Sequence, residues 1–275
     1  MPDIVIHVVA CALYAVLALH LWNTRWRKPA GAAPAGSAAG LATWERAALL
    51  VPIALHGWLL HDAIFATDSL RFGFAQALST MLWLAMAILW LEGLAYRIEL
   101  LYPMALAAAA VCAPLPAFFP GRVAPEAYPI EFKLHLVAGM LSYSLFTVAT
   151  LHAVLISIME RQMHAHPTLA DRGMPLLSLE TLVFRLTAAA FVVLTLTFAV
   201  GIAYSENMVG RAFRFDHKTV FVVLSWLTFG LLLAGRWLYG WRGRTAFRWT
   251  LAGFVMLMLA YPGSRFVLEV VLGRG

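Results

Sequence analysis

Nine histidines stand in this 275-residue chain. Most of them fall in or beside long apolar runs. An imidazole nitrogen ligates transition metals and haem iron, and it exchanges a proton near neutral pH. An ionisable side chain inside an apolar run is costly, so each such histidine raises a functional expectation. The plain alternative is an imidazole hydrogen-bonded between helices. Depth along the runs sorts them. His7, His61, His135 and His217 sit near one face, His20 and His152 toward the other, and His56 near the middle, while His164 and His166 lie in a polar segment.

Spacing excludes some pairs. His135 and His152 share one run but stand 17 residues apart. That is about 25 Å at 1.5 Å per residue, too far to share one metal. His56 and His61 are five residues apart, about 140° around a helix, and point in different directions. A shared ligand therefore needs histidines from different helices at one depth. His7, His61, His135 and His217 are the candidates. Asp62 follows His61 and could orient it, although neighbours on a helix do not face each other. No HExxH or similar zinc spacing is present. Cys11 and Cys112 form no CxxC pair, and small buried hydrophobes are the expected role for both.

Histidine at position 217 belongs to the stretch "RAFRFDHKTVF", Arg211 to Phe221. It carries Arg211, Arg214 and Lys218 as cations, Asp216 as an acid, and Phe213 and Phe215 as flat apolar surfaces. Such a segment suits a membrane interface, with Asp216 as the N-cap of a following helix. It also suits a flat, anionic ligand.

The elements that position these residues are set by composition. The chain is 62% hydrophobic and 12% charged, against about 25% charged residues in soluble domains. It lacks the residues for a soluble surface. The net charge of +6 is accordingly no nucleic-acid signal, because basic residues mark helix ends in membrane proteins. A span needs about 20 mostly apolar residues. Eight segments qualify: 4–24, 45–66, 72–92, 98–118, 131–159, 182–204, 217–239 and 247–269. The fourth is the weakest, since Pro114 and Pro116 interrupt it, and the fifth is long enough to tilt or protrude. Positive charge follows the first apolar run instead of preceding it, so this run reads as a retained span and not a cleaved signal. The expectation is an all-α polytopic membrane protein of about eight helices. It forms a single membrane domain over 1–275, with spans 1–4 in 1–130 and spans 5–8 in 131–275.

Lysine and arginine placement gives the orientation. One side receives eleven of these residues and the other eight, with Arg185 ambiguous. The clusters "RWRK" and "RWLYGWRGRTAFR" carry the bias. With that side inside, the N- and C-termini lie outside, and so does the 211–221 stretch. Tryptophans 22, 26, 44, 237, 241 and 249 then form an inner aromatic belt. Glu92 and Glu99 are expected at the same interface.

Four segments in the second half have a specific order: "KLHLVAGMLSYSLF" (133–146), "GIAYSENMVGRAFRFDHKTVFVVLSWLTFG" (201–230), "GRWLYGWRGRTAFRWTLAGF" (235–254) and "LAYPGSRFVLEVVLGR" (259–274). In order and spacing they resemble the cytochrome c assembly superfamily, which includes CcsA and CcmC, and within it the YpjD/HemX-type branch. The resemblance is clear over about 131–274 and rests on span count before that. It implies a bacterial inner membrane protein that binds haem b on the outer side. The family's haem-presenting loop is rich in tryptophan and ends in an Asp-Pro-Lys-like run. His135 matches the histidine before that loop, Asp216 and Lys218 match its end, and Trp226 matches a tryptophan in the following span. The chain departs from the pattern where Phe213 and Phe215 replace the motif tryptophans and His217 replaces the proline. The histidine expected near the inner end of the seventh span is replaced around Gly235–Arg236.

The residues fit such a ligand on their own terms. Haem wants an axial histidine, apolar walls and cations for its propionates. His135 and His217 are the candidate iron ligands, with His61 at the same depth. Phe213 and Phe215 could wall the ring, and Arg211, Arg214 and Lys218 could pair its propionates. The expected partners are membrane lipid and a membrane or periplasmic protein. A second reading is an accessory or regulatory subunit that acts through such a protein, with the small-residue face 104–113 as its contact. A transporter would show matching broken halves, and an enzyme a nucleophile beside a base; the sequence displays neither pattern.

Overall fold

The computed structural model describes residues 2–27, 40–65, 70–123, 130–165, 176–209 and 217–273. The apolar runs form helices because a backbone without water must satisfy its own hydrogen bonds. In chain order they are α1 (Pro2–Leu21), α2 (Thr43–Phe65), α3 (Phe74–Ala95), α4 (Tyr102–Cys112), α5 (Leu115–Phe118), α6 (Ile130–Ala165), α7 (Leu176–Val209), α8 (His217–Tyr239), α9 (Gly243–Met258) and α10 (Ser264–Phe266). Wider π-helical turns extend α1 over Trp22–Trp26 and flank α10 over Leu259–Gly263 and Val267–Val271. Pro262 lies within one of them. Its missing N–H breaks the regular ladder, which a wide turn absorbs. Two short strands, β1 (Arg71–Phe72) and β2 (Arg122–Val123), pair antiparallel.

Among the described residues, seven helices are long and apolar enough to cross a membrane. Eight were expected. The difference is the segment 98–118, which forms only the 11-residue α4 and the 4-residue α5. At about 16 Å, α4 falls short of the ~30 Å hydrocarbon core. Pro114 and Pro116 end it as the sequence suggested. The path of the chain is nonetheless that of a return leg. At one end Trp26 donates from Nε1 to the Leu100 carbonyl at 2.9 Å. At the other, His7 Nδ1 meets the Ala113 carbonyl at 3.2 Å, and β2 lies against β1, just before α3 begins. In contrast, α6 and α7 run to 36 and 34 residues, each about 50 Å long and longer than the bilayer core.

The central helix is α6, which packs along α7 and also against α3 and α9. One core cluster unites both halves of the chain, from Tyr14, Leu49 and Met86 to Phe146, Phe229 and Leu257. Its tightest point is a stack of Phe146 on Phe229, with centroids 3.8 Å apart. On the far side of Phe229 lies Gly253, where a Cβ would stand 2.8 Å from the ring. Ser225 ties the same helices by donating to the Gly253 carbonyl at 3.0 Å. The outward faces are apolar: Ile4, Val5 and Val16 of α1 are each about 60% exposed, as lipid contact requires.

The small-residue face 104–113 is not a free contact surface. Ala105, Ala109 and Ala110 are buried where α4 packs against α1 and α3. Arg185, ambiguous in the sequence, follows Phe184, whose ring carries the Arg236 guanidinium at 4.6 Å. It therefore joins the more basic end of the bundle.

Candidate functional site

His135 sits near the start of α6 and faces α7. Its Nδ1 lies 2.9 Å from the Thr197 carbonyl. A carbonyl oxygen can only accept, so Nδ1 carries the proton and the neutral ring keeps a lone pair on Nε2. The imidazole rests on Gly201, where a Cβ would come within 2.9 Å of Cε1 and 3.1 Å of Nδ1. Thr197 and Gly201 are one helical turn apart and share a face. Glycine leaves the room, and the carbonyl one turn before it sets the ring's angle. Such an orienting bond on the remote nitrogen is how ligand histidines are held.

Trp226 of α8 uses another face of α7. Its Nε1 donates to Thr195 Oγ1 at 2.9 Å, and its ring stacks on Phe191 with centroids 5.4 Å apart. Thr195, under Trp226, and Gly201, under His135, point about 120° apart on a helix. His135 and Trp226 therefore use different faces of α7.

Three of the remaining predicted site residues, His61, His217 and Lys218, lie within the described residues. His217 is the first residue of α8 and is exposed, with Lys218 half-buried beside it. His61 is exposed on α2, its ring 5.5 Å from that of Phe65. Asp62 is exposed too. Arg211, Phe213, Arg214, Phe215 and Asp216 lie outside the described residues. Among the described residues, neither His61 nor His217 is a hydrogen-bonding or ring-stacking partner of His135, and no three His, Cys, Asp or Glu side chains gather as a metal site. The chemistry available at His135 is thus a single oriented nitrogen donor. Such a nitrogen would be able to hold a haem iron, with Thr197 and Gly201 keeping the ring in place.

Other histidines are absorbed by packing. His56 is fully buried and bridges three helices, with Nδ1 3.2 Å from the Tyr14 hydroxyl and Nε2 2.7 Å from Ser79 Oγ. His20 meets Glu45 Oε1 at 2.9 Å, and Arg25 holds the other carboxylate oxygen at 2.7 Å. Glu92 has a partner on another helix. Its side chain is only 11% exposed and stands 3.6 Å from His152 Nε2, so it faces the protein near the end of α3. The Nδ1 of that fully buried His152 donates to the Val148 carbonyl at 2.9 Å. Both residues lie at the same depth in their runs, the one signal in the sequence that could have joined them.

Residues 45–272 match the family described as cytochrome C assembly protein. The chain is 32% identical over 175 residues to "Inner membrane protein YpjD" of Escherichia coli strain K12, covering 62% of this chain and 65% of that protein. It is 24% identical over 136 residues to "Cytochrome c biogenesis protein CcsA" of Chlamydomonas reinhardtii, covering 50% of this chain and 38% of that protein. A CcsA of Picosynechococcus is 27% identical over 124 residues, 45% and 35% of the two chains. The alignment thus spans just under two thirds of the YpjD relative and about a third of the CcsA proteins. No solved structure matches. On the breadth of the family match, the chain belongs to the cytochrome c assembly protein family.

Proposed function

We propose that this chain is a haem-handling protein of the bacterial inner membrane, in which His135 supplies one axial ligand to haem b. The observation that carries the reading is the Nδ1–Thr197 bond, which leaves Nε2 as an oriented donor at one end of the bundle. Lys133 and Lys218 lie near the start of α6 and α8 at that end and offer charge for propionates. Bound haem supplies an iron that accepts a histidine nitrogen, and the porphyrin is here cargo. The role is binding and handover, not catalysis. His217 and the 211–216 segment are the proposed complement. The names of the YpjD and CcsA relatives, an inner membrane protein and cytochrome c biogenesis proteins, support the location and the haem-linked setting.

The chain crosses the membrane eight times in this reading, with α4 and α5 together making the fourth crossing. The basic end faces the cytoplasm, and the His135 end faces outward. The test is an absorption spectrum of the full chain purified in mild detergent. A Soret band, present as isolated or after haem is added, is the expected result, with loss or strong weakening in His135→Ala. A colourless protein that takes up no haem would overturn the reading. So would a His135→Ala variant with an unchanged spectrum.

A further inference from the structure

At the more basic end of the bundle, α6 and α9 border a cavity of about 390 Å³ lined by Ser157, Glu160, Arg161, Arg244, Phe247 and Arg248. On α6 the three residues recur at spacings of three and four, and on α9 the same spacing repeats, so each helix turns one face inward. Three arginines and one glutamate line the cavity. All three arginines are exposed at the mouth.

The start of α9 takes its negative charge from other helices. Its first turn has no acidic residue and carries Arg244, which opposes the helix dipole. The Gly243 N–H is already taken by Glu180 Oε1 at 2.8 Å. Glu160 Oε1 leans toward the same turn, 3.7 Å from where a Gly243 Cβ would stand. An anion in the cavity would therefore be held by the guanidiniums and the Ser157 hydroxyl, not by the helix end.

The surroundings say which anion. From Arg244 and Arg248 the same face of α9 continues at spacings of three and four through Leu251 and Val255, which are 38% and 48% exposed. A cationic cavity thus opens onto an apolar stripe in the direction of the membrane core. The stacked Trp241 and Trp249, 5.4 Å apart, mark the interface level between them. A free phosphate would use the first part only. A phospholipid uses both.

We infer that this cavity seats the phosphate headgroup of an anionic phospholipid. Arg161, Arg244 and Arg248 surround the phosphate, Ser157 donates to it, and an acyl chain runs along Leu251 and Val255. The site is independent of the haem reading, at the opposite end of α6 from His135.

Native mass spectrometry of the delipidated full chain tests it, with phosphatidylglycerol, phosphatidylcholine and inorganic phosphate added separately. Phosphatidylglycerol adducts are expected to persist at collision energies that strip phosphatidylcholine, and phosphate alone is expected to give none. The Arg244→Gln/Arg248→Gln variant should retain phosphatidylglycerol less well by about fivefold per guanidinium lost, the equivalent of about 1 kcal/mol for each charge near a membrane surface. Arg161→Gln, on the other helix, should show the single-charge loss, and Arg122→Gln at the far end none. Equal retention of the two lipids would overturn the inference. Phosphate adducts as stable as the lipid adducts would make it a soluble-anion site and overturn it too. So would wild-type lipid retention in variants that elute as the wild type does on size exclusion.

Discussion

A carbonyl oxygen cannot donate, and at His135 that one constraint decides which nitrogen is available. The orienting acceptor belongs to Thr197, and the space belongs to Gly201. Gly201→Ala therefore tests the seat without removing the ligand. The added methyl would crowd the imidazole, and overpacking of this kind costs about 1–3 kcal/mol. Haem affinity in an absorbance titration should fall by roughly tenfold or more, since 1.4 kcal/mol is a factor of ten. A wild-type titration would show that the ring's seat is irrelevant to binding. His135 was legible in the sequence as an ionisable group at a helix end. Its partners were not, because they lie 62 and 66 residues away on another helix. Periodicity reports that a face is buried, and leaves open which neighbour meets it. The same holds for Glu92 and His152. Each reads alone as an interfacial acid and a packed histidine, and only their helices' contact makes them a pair.

At the scale of elements, α7 does the sorting. One face takes His135 from α6, and a different one takes Trp226 from α8. The Trp226 indole both stacks and donates. Trp226→Phe keeps an aromatic ring over Phe191 and loses the bond to Thr195. Interhelical hydrogen bonds in membranes are worth about 0.6–2 kcal/mol. A small drop in thermal stability in detergent is expected, with haem binding retained because His135 uses another face. Loss of haem binding in a folded Trp226→Phe protein would place Trp226 at the site after all. Most helices were readable from apolar length alone, which is why seven of the expected spans appear as long helices. The fourth was readable only as weak. Its prolines announced the break, but its return path is set by contacts at both ends, Trp26 with Leu100 and His7 with Ala113. No local pattern encodes those.

For the whole molecule, charge sets the expected orientation. The Arg236–Arg248 turn and the Arg25–Arg27 segment share the basic end, and Arg185 joins them. Fusions to full-length or truncated chains check this. A fluorescent protein that folds only in the cytoplasm should fluoresce after residue 241, and alkaline phosphatase should be active after residue 123. The reverse pattern would invert the bundle and with it the proposed outward face of His135. One contact between the two halves has a consequence for how the protein is made. Glu269, beyond the wide turns of the last crossing, faces the first amide of α3, with Phe74 N–H 3.4 Å from Oε2. Gly73 lets it approach, since a Cβ there would lie 2.7 Å from that oxygen. The third crossing is thus completed by a residue synthesised 195 positions later. During translation α3 is made before the carboxylate that meets its first amide. This contact between the start of α3 and the turns after α10 can form only once residue 269 has been synthesised.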